Sequence, residues 1–397
     1  MSHHVHHPTP EVFNQKHAGT APLILIAASI VGIALSVLGA VRNPEQFAYS
    51  WLFAFIYFFT LSVGCLFWTM VHHATDAEWS VVVRRLMENV AGLIPFVFLF
   101  FIPLIFCAPT LWKWWTIPHG VDEILDGKRG YLNHTFFYSR VFIFFAALSA
   151  LAILFKRHST QQDTTSHPQH TISMRRLSFA GIPIFAVSLT FGAYDWLLGL
   201  DYKWFSTMWG VYIFAGAAGS AMSLLVLILT WLRVKGYYKH SITHEHYHIM
   251  GKLMLAFSVF WAYIGFSQYM LIWYANVPEE TSYFIRRNIG SWNTLSIALV
   301  VGRFFLPFLV LLLQATKKKP RVLCIIAGWI LCMQLLDMYI IVMPMLHKDG
   351  VAPSIYDIGA ILAIGAPLIF IFLKRLGKHS LIPVGDPRID LCLKLSN

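Results

Sequence analysis

Residues 22–41 read PLILIAASIVGIALSVLGAV, an apolar run that carries no charged side chain. A helix rises about 1.5 Å per residue, so a run of this length crosses the roughly 30 Å hydrocarbon core of a bilayer. Within such a core only a helix or a closed barrel satisfies every backbone polar group. Nine further runs meet the same length criterion. The ten predicted spans are 22–41, 51–71, 90–111, 136–155, 179–200, 205–232, 251–275, 292–315, 322–346 and 355–373.

The composition places the chain in the same class. Hydrophobic residues make up 57% of the 397 residues and charged residues only 12%, whereas an ordinary globular domain has about 25% charged residues. We therefore predict an all-α, polytopic membrane protein of about ten transmembrane helices.

The net charge of +11 raises the question of a nucleic-acid partner. The basic residues lie in short loops between apolar runs, a pattern typical of membrane topology and of contact with anionic lipids. We expect membrane lipids as partners and no nucleic acid. With ten spans both termini share one side, and that side carries most of the Lys and Arg residues, including Arg84 and Arg85. The positive-inside rule makes both termini of this multi-pass protein cytoplasmic.

Internal duplication is the next feature of the sequence. The segment 56–59 reads IYFF and the segment 211–214 reads VYIF, in the second and sixth spans. The fifth and ninth spans each carry one aspartate. We therefore predict two related four-helix bundles, at about 51–200 and 205–346, and one flanking helix at each end of the transmembrane domain. The three parts of the chain are a His-rich cytoplasmic tail at 1–21, the domain at 22–376 and a cytoplasmic tail at 377–397.

No redox centre is predicted in this chain. None of the five cysteines forms a C-x-x-C pair, and no histidine lies in the middle of a span. A b-type haem needs two axial ligands within the bilayer, and an iron–sulfur cluster needs grouped cysteines. We also assign no metal site. The histidines of the N-terminal tail are more simply explained as a cluster that binds metal ions only adventitiously.

Two charges lie deep in apolar segments. Asp337 is in the ninth span and Arg303 in the eighth, both roughly 15 Å below the outer surface at about 1.5 Å per residue. A charge in hydrocarbon costs at least about 2.5 kcal/mol, so each needs a reason to be there. Adjacent antiparallel helices could pair them directly. A register-fixing salt bridge and a proton relay are both open interpretations.

A third embedded charge is Asp195, one to two turns below the outer interface. Its carboxyl group suits proton uptake or release, and it equally suits a hydrogen bond to a quinol hydroxyl. The alternative is an interfacial carboxylate that simply reaches water.

The cytoplasmic side holds a further polar group. His72, His73 and Asp76 end the second span, and Glu88 opens the third. Histidine and carboxylate side chains at a helix mouth can form the entrance of a proton path. They can also be ordinary interfacial residues.

Three motifs resemble a known family. Residues 194–210 read YDWLLGLDYKWFSTMWG, residues 257–281 read FSVFWAYIGFSQYMLIWYANVPEET, and residues 302–308 read GRFFLPF. Together they are similar to the ActF subunits of alternative complex III, a bacterial quinol:cytochrome c (or high-potential acceptor) oxidoreductase. The resemblance covers nearly the whole chain. ActF subunits are in turn similar to NrfD/polysulfide-reductase membrane subunits, which have ten helices and two four-helix bundles.

The resemblance implies a location in the bacterial inner membrane and a set of partners. These are a homologous NrfD-like subunit (ActC), a periplasmic iron–sulfur subunit and c-haem subunits, with a terminal oxidase as a further candidate. The ActC quinol pocket is associated with a histidine and an aspartate near the outer face. The matching candidates here are Asp195 and His134, at the mouth of the fourth span. Quinone or quinol is thus the one cofactor that the resemblance offers this chain.

We expect a subunit that supports assembly and conducts protons through Asp337, Arg303 and the group formed by His72, His73, Asp76 and Glu88. Three alternatives remain open. The chain could be a stand-alone secondary transporter, a purely structural anchor, or a quinol-binding subunit with its site near Asp195.

Overall fold

The computed structural model describes residues 10–395. Ten helices in this part of the chain are long and apolar enough to cross a membrane, which confirms the predicted all-α, polytopic fold. They are α1 (Ala21–Arg42), α2 (Pro44–Ala74), α3 (Val81–Phe106), α4 (His134–Thr165), α5 (Gln169–Asp201), α6 (Trp209–Val234), α7 (His244–Ala275), α8 (Gly290–Leu312), α9 (Pro320–Met345) and α10 (Ile355–Leu376). The histidines at positions 3 to 7 lie outside the described residues.

Most helices extend beyond the apolar run that predicted them. Helix α2 begins seven residues before its run, because the Asn43 side chain accepts a hydrogen bond from the backbone N–H of Gln46 and Pro44 occupies the first turn. Helix α4 continues to Thr165 through polar residues. Hydropathy marks only the lipid-facing length of a helix, so a helix that projects into water is longer than its apolar run.

The predicted start of α3 was wrong. The helix begins at Val81, and Glu88 lies inside it instead of opening it. Arg84 and Arg85, which we expected in a loop, are buried. Three charged residues close together are typical of a loop between membrane spans. They are compatible with a buried helix here because they pair with one another and with neighbouring segments.

Helix α3 is broken on its far half by two prolines, and a third proline follows just after its end. Pro95, Pro103 and Pro109 each sit in the first turn of a short helical segment. A proline has no backbone N–H, so each break leaves carbonyl groups without a helical partner. One of these, the Phe100 carbonyl, accepts a 2.8 Å hydrogen bond from the Trp51 indole N–H of α2.

Helix α2 is at the centre of the packing. It contacts α3, α5, α6, α9 and α10. Helices α4 and α5 pack against each other on one side, and α6 packs against α7 and α9 on the other. Helices α1 and α10 form a pair that leans on α2. The result is a first group, α2–α5, and a second group, α6–α9, that meet along α2 and α6.

Both terminal segments lie side by side on one face of the protein, which we call the terminal face. The backbone N–H of Leu381 donates to the carbonyl of Glu11 at 2.6 Å, and Val12 forms an isolated bridge with Ser380. Phe13 is buried, and the Glu11 carboxylate accepts from the Tyr238 N–H. The described parts of the two predicted tails are therefore packed against the helices. That this face is cytoplasmic stays a prediction from the charge distribution.

A glycine allows the two helix groups to approach closely. A Cβ atom built on Gly64 of α2 would collide with the Ala217 carbonyl of α6 and lie 2.7 Å from the Ala221 Cβ. Small residues at a membrane helix interface let backbones meet in this way. A side chain at position 64 would force α2 and α6 apart.

Gly64→Ala is expected to lower the free energy of unfolding by about 1–3 kcal/mol, the usual cost of overpacking. Thermal unfolding of the purified protein in detergent measures this loss. Gly328→Ala is the matched control, since its Cβ meets no atom within 4 Å. Equal stability of the two variants would contradict the close approach of α2 and α6.

Candidate functional site

A buried ion pair joins two helices of the second group. Arg303 on α8 and Asp337 on α9 are only 3% and 1% exposed. The Arg303 Nη1 atom lies 2.9 Å from the Asp337 Oδ2 atom. The sequence placed the two residues at similar depth, and in the structure they are in direct contact.

Aromatic and amide side chains complete this pair. Asp337 accepts a 2.6 Å hydrogen bond from the Tyr212 hydroxyl and a 3.1 Å bond from the Trp261 indole N–H. Arg303 also donates to the Gln334 side-chain oxygen, and its guanidinium lies 4.5 Å from the centre of the Trp261 ring. These five residues come from all four helices of the second group. We call them the Asp337 cluster.

Sequence reasoning found only part of this cluster. Gln334 precedes Asp337 by three residues, so both lie on one face of α9. The Ser220 hydroxyl of α6 donates to the Gln334 side-chain oxygen at 3.0 Å and extends the cluster. Tyr212 and Trp261 had no distinguishing signal, because an aromatic residue in an apolar span is usually a packing residue.

A distorted turn presents Arg303 to the cluster. Residues Val301–Phe305 form a π-helical turn between two α-helical parts of α8. Pro307 has no N–H to donate to the Arg303 carbonyl four residues earlier, so the regular hydrogen bond cannot form there. Single π turns within α-helices occur frequently at functional sites.

The first group holds a second buried ion pair. Arg140 on α4 binds both carboxylate oxygens of Asp195 on α5, at 2.7 and 2.8 Å. The Arg140 guanidinium also lies 3.8 Å from the Tyr131 ring centre and 4.2 Å from that of Phe136. Asp195 is completely buried, so its interpretation as a carboxylate that reaches water was wrong. Sequence analysis missed Arg140, which sits two turns into its helix and resembles an interfacial residue.

The two members of the predicted quinol pair have separate partners. His134 stacks on Trp115 with ring centres 4.1 Å apart, and its Nε2 atom lies 3.2 Å from the Trp115 carbonyl. The Asp195 carboxylate faces Arg140 instead. The two residues lie at the same end of the first group without a shared hydrogen bond among the described contacts.

Replacing Arg140 by Leu is expected to destabilise the protein by about 3–5 kcal/mol, because Asp195 would stay buried without a countercharge. The double variant Arg140→Leu with Asp195→Leu should recover most of this loss, since it removes both charges. Chemical denaturation in detergent gives the two values. A double variant as unstable as the single one would show that the pair is more than a charge-neutralising contact.

The predicted entrance residues do come together at the terminal face. His72, His73, Asp76 and Glu88 join a larger set of charged side chains, which we call the terminal-face cluster. Its other members are Arg84, Arg85, Asp163, Asp386 and Arg388. Asp163, Asp386 and Arg388 were not predicted, because the first is at the end of α4 and the other two follow α10.

Glu88 occupies the interior of the terminal-face cluster. Its two carboxylate oxygens lie 3.7 Å from the Arg84 Nε atom and 3.4 Å from the Arg85 Nε atom. Neither oxygen has a hydrogen-bond partner within residues 10–395. A buried carboxylate that attracts two guanidinium groups without a close hydrogen bond retains free lone pairs for a proton or for water.

Asp76 lies at the exposed edge of the cluster and connects it to solvent. Its carboxylate pairs with Arg388 at 3.0 Å and with Arg175 at 2.9 Å. The Arg388 guanidinium reaches the His72 ring at 3.3 Å, and His73 lies 3.4 Å from Arg84. The chain of contacts therefore runs from water at Asp76 to buried groups at the end of α2.

Asp386 brings the C-terminal segment into the cluster. Its carboxylate pairs with Arg84 at 3.0 Å and with Arg388 at 3.0 Å. Burial by itself raises the pKa of Asp386, but the two guanidinium groups lower it by a larger amount, and the resulting pKa is about 2. Its ordinary value is about 3.9. The ionised carboxylate therefore stabilises the folded state above pH 4, and that stabilisation is lost as the pH falls from about 4 to 2.

The acid sensitivity of the fold tests this contact. Wild-type protein should lose about 2 kcal/mol more stability between pH 4 and pH 2 than Asp386→Asn, which has no carboxylate to protonate. Melting temperatures across this range measure the difference. The half-buried neighbour Asp390 supplies the control variant Asp390→Asn. Identical acid profiles for wild type and Asp386→Asn would refute the pairing.

A large cavity adjoins the Asp337 cluster. Its volume is about 1040 Å³, and it lies between α7 and α8 towards the face opposite the termini. Asp337, Tyr212 and Trp261 form its inner wall, and apolar residues such as Ile297 and Phe305 form its rim. Asp337, a buried titratable group of the second group, therefore borders open space here.

No group of three or more His, Cys, Asp and Glu side chains within residues 10–395 is arranged to hold a metal ion. Compared with models of protein families and with curated protein sequences, the chain matches none.

Proposed function

We propose that this chain is an integral subunit of a bacterial quinol:cytochrome c oxidoreductase of the alternative complex III type. In this complex it supports assembly and conducts protons, and it holds no redox centre. The motifs at 194–210, 257–281 and 302–308 support the assignment, and the ten-helix architecture is compatible with it. The expected partners are an NrfD-like sister subunit, an iron–sulfur subunit and c-haem subunits. The chain would sit in the inner membrane with both termini cytoplasmic.

The observation that supports proton conduction is the placement of two buried polar clusters on adjoining helices. The Trp68 indole N–H of α2 donates to the Ala218 carbonyl of α6 at 2.9 Å, which fixes the relative level of the two helices. His72 follows Trp68 by one turn, and Ser220 follows Ala218 by two residues. The terminal-face cluster and the Asp337 cluster are thus within about two helical turns of each other along the axis.

Each cluster also has an outlet on its own side. Asp76 reaches solvent at the terminal face. Asp337 and Tyr212 border the cavity that opens towards the opposite face. Ionisable side chains that face the interior of a membrane bundle are typical of proton relays. A path would run from Asp76 through Glu88 to Asp337, with a hydrogen-bonded step at Tyr212.

The first group has a supporting role in this proposal. Both oxygens of Asp195 are bound by Arg140, and His134 stacks on Trp115. A quinol hydroxyl beside Asp195 would have to displace a bidentate, charge-assisted contact. Quinol oxidation is therefore assigned to the sister subunit, and the Arg140–Asp195 pair to the stability of the α4–α5 contact.

The test uses the intact complex, reconstituted in liposomes. Asp337→Asn and Glu88→Gln should keep quinol:cytochrome c turnover in detergent and abolish proton translocation, because each removes one titratable group of the path. Asp349→Asn, an exposed carboxylate in the loop after α9, is the matched control and should translocate protons normally.

A second variant, in which both charges are removed, controls for destabilisation of the Asp337→Asn protein. Asp337→Asn leaves Arg303 buried without its countercharge, so Arg303→Gln with Asp337→Asn provides a polar, uncharged version of the same contact. Normal proton translocation by an assembled neutral-pair complex would exclude the relay and leave a scaffold. Loss of turnover in Asp195→Asn alone would return the quinol site to the first group.

A further inference from the structure

Two histidines face each other at the terminal-face end of the hairpin formed by α4 and α5. His158 lies in the last turns of α4, and His170 lies near the start of α5. Their Nδ1 atoms are 3.2 Å apart, and their half-buried rings have centres 5.6 Å apart and planes tilted by 53°. The sequence did not predict this histidine pair, because only the turn at 166–168 brings the two helices together.

The distance between the two nitrogens suits a shared metal ion. When no ion is bound, one Nδ1 carries a proton and donates it to the other, so a single hydrogen bond joins the rings. A tetrahedral Zn²⁺ ion at about 2.0–2.1 Å from two nitrogens holds them about 3.3–3.4 Å apart. The observed 3.2 Å is within the tolerance of about 0.2 Å expected of metal sites. A small rotation of each ring, whose χ2 torsion is broad, directs both lone pairs at one ion.

The hairpin is held in this geometry by contacts that do not involve the imidazole rings. Gln162 lies one turn after His158 on α4. Its Nε2 atom donates to the hydroxyl of Thr171, the neighbour of His170, at 2.7 Å. Its side-chain oxygen accepts from the Arg84 guanidinium at 3.3 Å, which ties the hairpin to the terminal-face cluster. An ion would therefore bind two rings whose helices are already fixed, and the cost of ordering the site is small.

The surroundings of the histidine pair select the class of metal. His158 lies beyond the apolar run 136–155, on the polar part of α4, where ions in water can reach it. Imidazole nitrogen suits Zn²⁺, Ni²⁺ and Cu²⁺, whereas Ca²⁺ and Mg²⁺ prefer oxygen ligands. Within residues 10–395 no third His, Cys, Asp or Glu side chain is placed to join the pair, so water completes the coordination. The missing protein ligands and the charge of the exposed neighbour Arg157 make the affinity lower than that of a closed four-ligand site.

We propose that His158 and His170 bind a divalent transition-metal ion, Zn²⁺, Ni²⁺ or Cu²⁺, through their Nδ1 atoms and so join α4 to α5 at the terminal face. Each neutral ring supplies one lone pair. The ring that donated through Nδ1 then carries its proton on Nε2, so the neutral pair releases no net proton. The bound ion stabilises the end of the hairpin beside the terminal-face cluster. This site goes beyond the proposed oxidoreductase function, because it depends only on two histidines of the chain itself.

The test is calorimetric titration of Zn²⁺ into the full-length chain in phosphatidylcholine nanodiscs. Histidines of the N-terminal tail can bind metal ions independently, so every sample carries Ser in place of His3, His4, His6 and His7. In this background His158→Asn and His170→Asn should each weaken the tightest binding step about tenfold or more, since each removes one of the two ligands.

The matched control is His240→Asn, a change of an exposed histidine in the loop after α6, which should keep the affinity of the background protein. Equal affinity of the background protein and the two pair variants would overturn the proposal. So would an equal loss in the His240→Asn control, because the ion would then not be specific to the histidine pair.

Electron paramagnetic resonance of bound Cu²⁺ provides the second reading, since nitrogen hyperfine coupling counts the imidazole ligands. The background protein with one Cu²⁺ per chain should show coupling to two imidazole nitrogens, and each pair variant should lose one of them. A spectrum of the background protein without two-nitrogen coupling would overturn the proposal, whatever the folding of the variants. Retention of that coupling in both pair variants would do the same, because the ligands would then lie elsewhere.

Discussion

An arginine surrounded by hydrocarbon needs a carboxylate on a neighbouring helix, and both helix groups are organised around this requirement. Arg140 and Asp195 join the third and fourth helices of the first group, and Arg303 and Asp337 join the third and fourth helices of the second. This correspondence is a stronger sign of internal duplication than the short IYFF and VYIF echo. The pairs differ in their surroundings. Aromatic rings cover the Arg140 guanidinium, whereas Asp337 borders an open cavity. The same contact is thus enclosed by aromatic rings in one group and borders a cavity in the other.

The sequence was sufficient for the ten helices because lipid imposes a one-dimensional criterion. A segment must be long and apolar to cross, and no knowledge of its neighbours is needed. The criterion fails where charge is neutralised inside the protein. Arg84, Arg85 and Glu88 make the start of α3 resemble a loop, although mutual pairing lets them enter the helix. The proline breaks on the far half of α3 likewise left no mark in the hydropathy pattern.

The candidate site was predictable to the extent that it consists of rare residues. Arg303 and Asp337 attract attention because charges seldom occur in apolar spans, and their similar depth suggested contact. Tyr212 and Trp261 did not, since their role follows only from the way α6 and α7 pack on α9. Arg140 was missed for a related reason, because a basic residue near a helix end usually reaches water. The terminal-face cluster brings together segments from four parts of the chain, and sequence spacing does not encode such an arrangement.

The pairing of Arg84 with Asp386 also orders events during synthesis. The two residues are roughly 300 positions apart, and a ribosome adds about 5–20 residues per second. Arg84 therefore enters the nascent bundle about 15–60 s before its closest carboxylate exists. During that interval Glu88 is the only acidic partner that α3 itself provides. Asp386 follows all ten membrane helices, so the charge balance of α3 is completed only after the last of these helices has been translated.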